Sequence, residues 1–228
     1  MALLALFDVD GTLFLTHDPL SSAVMLASLR EVFAVDPPDD AVERTDHAGQ
    51  TAKRIARQVL CAAGLDDDEI DARLSDWCNR FAVGYTTLLA NADTSGWEAA
   101  PYANEALARL AAAGVRLALL TGNPEPMARA RMARLGLERF FPEGQGAFGC
   151  DAEDRADLIA LARGRAGGWP AEATVEIGDT PRDVRSAHAA GVRSILLRSG
   201  RSGESLLEAD AVCDDLAAAA TLLRAWSR

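Results

Sequence analysis

The chain has 228 residues, 49% of them hydrophobic, and a formal net charge of −11 at pH 7. This length is enough for one substantial hydrophobic core, alone or with a small accessory domain. The acidic balance disfavours nucleic acid or an anionic membrane surface as a partner, and no apolar run is long enough to span a bilayer. The N-terminal apolar stretch does not predict a signal peptide, because Asp8 interrupts it and it lacks a basic flank.

The cysteines show no spacing typical of a metal site; they are Cys61, Cys78, Cys150 and Cys213. Because nothing in the sequence indicates secretion, we expect reduced thiols in a cytoplasmic protein. Lys53 is the only lysine. A site elsewhere in the chain that needs a cation must therefore use arginine.

The first predicted element is a buried strand, because residues 3–7 form the apolar run Leu-Leu-Ala-Leu-Phe. Asp8 and Asp10 follow where this strand should end, Gly11 allows a sharp turn, and Thr12 adds a hydroxyl. Ligands of open α/β sheets bind just outside the carboxyl ends of strands. Two crowded carboxylates in this position suggest a cation between them, with one acid available as a nucleophile.

A helical segment then interrupts the strand pattern. Helices are predicted over 22–35, 51–63 and 67–90. The third carries an apolar stripe typical of a helix-bundle core, formed by Ile70, Leu74, Trp77, Phe81, Tyr85 and Leu88. We expect the sheet to resume near Trp97, which predicts a core domain of residues 1–15 and 96–228 and a helical domain of residues 16–95.

Strands and helices alternate through the rest of the chain. Apolar runs predict strands at 115–120, 147–148, 174–177, 194–197 and 211–213. Helical patterns fall between them, at 104–113, 126–135, 156–165 and 182–190. This alternation predicts an α/β fold with a parallel, Rossmann-like sheet and helices on both faces.

Three later segments should bring polar groups to the edge of the sheet where Asp8 lies. Thr121-Gly122-Asn123 follows the second strand, and a hydroxyl beside free backbone N–H groups suits an oxyanion, although helix capping explains it equally well. Asp179 and Asp183 flank a strand-to-helix turn, where they can complete a cation site with oxygen ligands. Arg155 opens the helix before that strand.

Together these segments resemble the haloacid dehalogenase superfamily of aspartyl phosphotransferases, in the family's order and over nearly the whole chain. The run Asp8-Val9-Asp10-Gly11-Thr12 matches the first motif of the family, and Thr121 matches the second. The fourth motif is matched by the run from Gly178 to Asp183. The resemblance implies the family's α/β core, with the helical segment inserted as a cap that closes over the site.

The third motif of this family is normally a lysine, and here we assign Arg155. It lies 24 positions before Asp179, an interval familiar in the family. Arg163 and Arg165 are weaker candidates because they fall inside the predicted helix. A guanidinium can replace the ammonium because it can bind phosphate oxygens and a carboxylate bidentately.

The resemblance also implies a cofactor and a reaction. Mg²⁺ would be held by Asp8, the backbone carbonyl of Asp10 and Asp179, with Asp183 as a direct or water-mediated ligand or as a group that orients Arg155. Asp8 would attack a phosphomonoester to form an aspartyl-phosphate. Asp10 would protonate the leaving alkoxide and then take a proton from water.

Substrate binding would involve the second motif and the cap. Thr121-Gly122-Asn123 and Arg155 would bind the non-bridging phosphate oxygens. In the cap, the loop of residues 45–51 is the candidate specificity loop. The candidate substrate-recognition residues are His47 and Gln50 in this loop, Lys53 just after it, and His17, which follows the first motif.

Several activities share this motif set. Asp10 disfavours a dehalogenase, because a halide leaves without a proton and the family's dehalogenases lack that aspartate. A phosphosugar mutase would retain Asp10 and a helical cap, so it is the main alternative. A phosphonoacetaldehyde hydrolase that uses Lys53 is less favoured, and a phospho-acceptor or binding module is the non-enzymatic alternative.

The pattern most resembles the phosphoglycolate phosphatase-like subgroup of the family. We therefore expect a cytoplasmic, Mg²⁺-dependent phosphatase, a monomer or homodimer, that acts on a small phosphorylated metabolite. Neither nucleic acid nor a membrane is expected as a partner.

Overall fold

A six-stranded sheet forms the centre of the molecule in the computed structural model, which describes residues 2–198 and 208–227. All strand pairs are parallel, in the order β3-β2-β1-β4-β5-β6. The strands are β1 (Leu4–Phe7), β2 (Arg116–Thr121), β3 (Ala147–Phe148), β4 (Thr174–Gly178), β5 (Arg193–Leu197) and β6 (Ala211–Cys213). The predicted parallel α/β fold is confirmed.

Five helices accompany the sheet in the described ranges: α5 (Ala103–Ala112), α6 (Glu125–Arg134), α7 (Arg155–Arg165), α8 (Pro181–Ala189) and α9 (Leu216–Trp226). The central strand β1 shows how they divide between the two faces. Ala5 and Phe7 belong to a core cluster with residues of α5, α6 and α9. Leu4 and Leu6 belong to a second cluster with residues of α7 and α8. Because both faces of β1 are covered, its apolar run is continuous rather than alternating.

The helical insert lies between β1 and β2 and has a core of its own. It comprises α1 (Pro19–Phe33), α2 (Ala52–Ala62), α3 (Asp67–Asp71) and α4 (Leu74–Leu89). Trp77 and Phe81 stack in this core with ring centroids 5.4 Å apart. No helix in the described ranges combines the length and the apolar character needed to cross a membrane.

The prediction of one continuous helix over 67–90 is wrong. The helix is broken after α3, where the Arg73 backbone leaves helical geometry. The Arg73 guanidinium turns back onto α1, where it donates to Val32 O at 3.3 Å and lies over the Phe33 ring at 4.9 Å. The predicted apolar stripe is also wrong at its end. Leu88 is 52% exposed, and its neighbour Leu89 is buried in its place.

The expectation that the sheet resumes near Trp97 is also wrong. Ala99 forms only an isolated antiparallel bridge with Phe14, and α5 precedes β2. Trp97 instead packs edge-on against Phe14, with ring centroids 4.9 Å apart. Its side chain packs against both the core of the sheet domain and the core of the insert, so Trp97 lies at their junction.

The limits of the insert at residues 16 and 95 remain our proposal. The segment that enters the insert and the segment that leaves it lie side by side at these positions. Thr16 Oγ1 donates to Gly96 O at 3.5 Å. The Glu98 N–H in turn donates to Thr16 Oγ1 at 2.8 Å.

A disulfide joins the insert to the sheet domain. It links Cys78 on α4 to Cys150, which follows β3, so the expectation of reduced thiols is wrong for this pair. Cys61 and Cys213 are free. The bonded residues are 72 positions apart, so only the packing of the insert against the sheet domain brings them together.

Thiol counting tests this pairing directly. In denatured but unreduced protein we expect two alkylated cysteines, Cys61 and Cys213, and four after reduction. Peptide mass spectrometry after iodoacetamide treatment identifies the labelled positions. Alkylation of Cys78 and Cys150 without a reductant would contradict the pairing.

Candidate active site

Asp8 and Asp10 emerge from the end of β1 into different surroundings. The Asp8 N–H donates to Ile177 O at 2.9 Å, which keeps Asp8 in register with β4, and its side chain is buried. The chain then turns at Gly11, whose φ of 89° is readily adopted only by glycine. The Asp10 side chain remains 43% exposed. One carboxylate is thus buried at the strand end, while the other faces an open space.

Two further carboxylates meet Asp8 at the end of β4. Single oxygens of Asp8, Asp179 and Asp183 lie within 4.8 Å of one another, and all three side chains are buried. The Thr12 hydroxyl reaches Asp179 Oδ1 at 3.5 Å. The turn needs glycine at position 178, because a Cβ there would lie 2.2 Å from Asp183 Cγ.

Asp183 also organises the start of α8. Its Oδ2 accepts hydrogen bonds from the Asp179 N–H at 3.1 Å, the Thr180 N–H at 2.8 Å and Thr180 Oγ1 at 2.7 Å. Thr180 and Asp183 form a capping box for the helix. These three donors fix the direction of the other oxygen, Oδ1, toward the cluster.

Arg155 supplies the positive charge beside these acids. Its Nη2 lies 2.6 Å from Asp183 Oδ1 and 3.1 Å from Asp8 Oδ1. The two weaker sequence candidates lie elsewhere: Arg163 donates to Trp169 O and Arg165 pairs with Asp151. Of the three, Arg155 is the arginine that contacts Asp8.

Glu176 is a member of the site that the sequence analysis missed. Arg155 Nε donates to Glu176 Oε1 at 3.0 Å, and Ser186 Oγ donates to Oε2 at 3.1 Å. Glu176 is only 1% exposed, in the middle of β4. A single charged residue inside an apolar strand was the available signal, because a buried carboxylate requires a partner.

Burial dominates the electrostatics of the cluster. It raises the pKa of Asp8 well above its usual range; Arg155 opposes this, and the neighbouring Asp183 and Asp179 add to it. Burial likewise raises the pKa of Glu176 to about 8, against the effect of Arg155. For Arg155, burial lowers the pKa, but Asp183, Asp8 and Glu176 more than compensate and raise it.

Charge balance shows which ligand the cluster suits. Asp8, Asp183 and Glu176 contact one guanidinium, and Asp179 lies beside Asp8 and Asp183. Negative charge is therefore in excess when the acids are ionised. Hard divalent cations bind such carboxylate oxygens and remove the repulsion. The donor set therefore fits Mg²⁺.

The end of β2 lies beside Arg155, whose Nη2 donates to Leu120 O at 3.3 Å. Thr121 is buried at the end of the strand, and Asn123 Nδ2 donates to its Oγ1 at 3.1 Å. The same Nδ2 donates to Asp10 Oδ2 at 2.5 Å, a partner that the sequence did not predict. Gly122 lies against the insert, where a Cβ would come within 2.0 Å of Gln50 O.

A cavity of about 520 Å³ lies between the sheet domain and the insert. Asp8, Asp10, Asp179, Arg155 and the Thr121-Gly122-Asn123 run line it from the sheet domain; His17, His47 and Gln50 line it from the insert side. Lys53, also a candidate for substrate recognition, is not among the residues that line this cavity. Its backbone N–H donates to Gly149 O at 3.1 Å instead.

Removing Arg155 tests the charge balance of the cluster. Arg155→Met leaves Asp8, Asp183 and Glu176 buried without their cation, so we expect it to lower the free energy of unfolding by about 3 kcal/mol. Urea unfolding in the presence of EDTA measures this value. Arg163→Met, on the same helix, is the matched control.

A second substitution separates charge from packing. Glu176→Gln combined with Arg155→Met removes one of the stranded acids, so we expect the double variant to be more stable than Arg155→Met alone. A free energy of unfolding of Arg155→Met within about 0.5 kcal/mol of the wild-type value would contradict the role of Arg155 as the central cation.

Comparison with known proteins shows the family to which the chain belongs. The model of the haloacid dehalogenase-like hydrolase family matches residues 3–191. The phosphoglycolate phosphatase of Rhodospirillum rubrum is 33% identical over 222 residues, covering 93% of this chain and 87% of that protein. The phosphoglycolate phosphatase of Agrobacterium fabrum is 30% identical and covers 94% of this chain and 89% of that protein.

Solved structures share the fold at lower identity. CbbY from Rhodobacter sphaeroides, crystallised with phosphate, superposes with a TM-score of 0.65 at 22% identity and covers 95% of this chain and 96% of its own. β-Phosphoglucomutase from Clostridium difficile gives a TM-score of 0.66 at 13% identity, and the match covers 95% of this chain and 92% of that chain. The family match spans most of the chain and includes the strand ends that carry the acids. The chain belongs to the haloacid dehalogenase-like hydrolase family.

Proposed function

We propose that this hydrolase is a Mg²⁺-dependent phosphatase that cleaves a small phosphomonoester through an aspartyl-phosphate on Asp8. One observation carries the proposal. Asp8 contacts Arg155 at the floor of a cavity onto which Asp10 also opens. A nucleophile, a cation for phosphate oxygens and a second acid are thereby gathered around one space.

The chain's own groups account for both halves of the reaction. An Asp8 oxygen attacks phosphorus while the bond to the alkoxide breaks, and Asp10 gives that alkoxide its proton. Asp10 then takes a proton from water, whose oxygen attacks phosphorus and releases Asp8. Asp10 suits this exchange because its side chain is 43% exposed, whereas Asp8 is buried.

The phosphate oxygens need donors on the walls of the cavity. Arg155 lies beside Asp8, and Thr121 and Gly122 line the same cavity. We assign the guanidinium, the Thr121 hydroxyl and the backbone N–H of Gly122 to the phosphate oxygens. These groups are rigid, since Thr121 ends a strand and Arg155 is held by Glu176. Preorganised donors of this kind stabilise the charge that develops during phosphoryl transfer.

Asp8, Asp179 and the backbone carbonyl of Asp10 would hold Mg²⁺. When bound, the ion neutralises charge on the phosphate and on the attacking carboxylate. Both oxygens of Asp183 already have close partners, Oδ2 three donors and Oδ1 the guanidinium of Arg155. We therefore assign Asp183 to orient Arg155 and to contact the ion through water.

The cavity lining favours a phosphatase over a mutase, the main alternative. A mutase or bisphosphate enzyme needs cationic groups for a second phosphate. In the described part of the chain, the arginines that line the cavity are Arg131 and Arg155, both from the sheet domain and both paired with acids. The insert side contributes His17 and His47 instead. A monophosphate with a small remainder fits this lining better than a bisphosphate does.

The position of Lys53 outside the cavity also disfavours a phosphonoacetaldehyde hydrolase, which would need that amine beside the substrate. A small phosphorylated metabolite is thus the substrate class we propose.

Phosphate release tests the proposed function. We expect wild type to hydrolyse a member of a panel of phosphoglycolate, sugar phosphates and nucleotides with Mg²⁺ and to lose activity in EDTA. Asp8→Asn should lower the rate by about 10³-fold or more, because the amide is a far poorer nucleophile. Asp76→Asn, an exposed change on α4, is the control and should keep full activity. Activity that survives in Asp8→Asn would contradict the proposal.

A further inference from the structure

Arg131 of α6 is a buried cation that the sequence analysis did not single out. It is 2% exposed, yet it reaches the cavity edge, where Nη1 donates to Asp10 Oδ1 at 2.7 Å. Its Nη2 donates to Asp18 Oδ2 at 2.9 Å and its Nε to the Tyr85 hydroxyl at 3.1 Å. The guanidinium also lies over the ring of Phe14, 5.0 Å from the centroid.

The partners of Arg131 are themselves held. The Tyr85 hydroxyl donates to Asp18 Oδ2 at 2.5 Å, and burial raises the pKa of Tyr85 well above its usual value, so this proton stays in place. Asp18 Oδ1 accepts from the Leu20 N–H at 3.0 Å as the N-cap of α1. Burial alone would lower the pKa of Arg131, but Asp10, Tyr85 and Asp18 raise it. The guanidinium is therefore a fixed, charged group.

These contacts join three parts of the fold. Arg131 belongs to the sheet domain, Asp18 stands where the insert begins, and Tyr85 lies on α4 of the insert. Asp10 is in the turn after β1. The group proposed to move protons is thus connected through one side chain to both ends of the helical insert.

We propose that Arg131 is a positioning residue for Asp10, held in place by Asp18 and Tyr85; this inference rests on the proposed phosphatase function. Arg131 binds Asp10 Oδ1 and Asn123 binds Oδ2, so the plane of the carboxyl group is fixed. That orientation sets which oxygen faces the leaving group. Two of the three hydrogen-bond partners of Arg131, Asp18 and Tyr85, come from the insert side. Packing of the insert on the sheet domain therefore positions Asp10 for proton transfer.

Leaving-group dependence separates this role from a purely structural one. An alkyl phosphate needs a proton on its leaving oxygen, whereas acetyl phosphate and p-nitrophenyl phosphate release stable anions. We expect Arg131→Met to lower kcat/KM for the best alkyl phosphate about 10- to 100-fold more than for these activated phosphates. A general loss of structure would lower both values by the same factor.

Matched variants sharpen the comparison. The quantity compared is the ratio of kcat/KM for the alkyl phosphate to kcat/KM for the activated phosphates. Tyr85→Phe removes only the hydroxyl that contacts Asp18 and Arg131, so it should lower this ratio a few-fold, in the same direction as Arg131→Met. Arg131→Lys should recover part of the loss because its ammonium can still reach Asp10. Arg134→Met is the control: Arg134 also lies on α6 and donates to Leu89 O at 3.0 Å, but it does not contact Asp10.

Each outcome decides the proposal. An altered ratio in Arg131→Met and Tyr85→Phe, with an unchanged ratio in Arg134→Met, supports it; if Arg131→Met does not fold, Tyr85→Phe and Arg131→Lys carry the test. Equal losses for both substrate types would overturn it and leave Arg131 a structural contact. Absence of phosphate release by wild type would instead overturn the proposed function.

Discussion

The burial of one guanidinium among carboxylates is the interaction on which the site depends. Arg155 contacts Asp8 after β1, Glu176 within β4 and Asp183 on α8. Removing these charges from water is costly, and the cost is recovered only if they stay together with good hydrogen-bond geometry. Because each acid comes from a different element, the ion cluster fixes how those elements meet at the carboxyl edge of the sheet. Asp8, the proposed nucleophile, is therefore held by the same contacts that hold these elements together.

A second arginine acts in a similar way on the other side of the β1 turn. Arg131 donates hydrogen bonds to Asp10, Asp18 and the Tyr85 hydroxyl. Both arginines use the planar fork of the guanidinium to contact several groups at once, which an ammonium cannot do with the same geometry. In a chain whose only lysine lies outside the cavity, arginine supplies both buried cations. One fixes the proposed nucleophile and the other the proposed acid.

Local patterns predicted most of the sheet domain. The apolar runs located the six strands of the sheet because each strand is short and all but β6 are largely buried. The Asp8–Thr12 run and the Gly178–Asp183 run could be placed at one edge because parallel strands share their carboxyl ends. Local patterns failed where distant packing decides. Arg73 breaks a periodic helix by reaching α1, and Cys78 meets Cys150 only after the insert has packed.

The missed site residues have the same cause. Glu176 and Arg131 look like an ordinary strand residue and an ordinary helix arginine until their partners, 21 and 121 positions away, are known. Tyr85 fitted the apolar stripe, and its hydroxyl contacts could not be read from spacing. One sequence gives motifs along the chain, but the pairing of buried charges is a property of the folded molecule.

Trapping the covalent intermediate tests the central claim most directly. Wild-type protein would be mixed with Mg²⁺ and its best phosphomonoester, quenched in acid and reduced with borohydride, which converts an aspartyl-phosphate to homoserine. We expect peptide mass spectrometry to find homoserine at position 8 and unmodified aspartate at Asp10. Phosphate release without any modification of Asp8 would contradict the account, because water would then attack the substrate without a covalent step on this carboxylate.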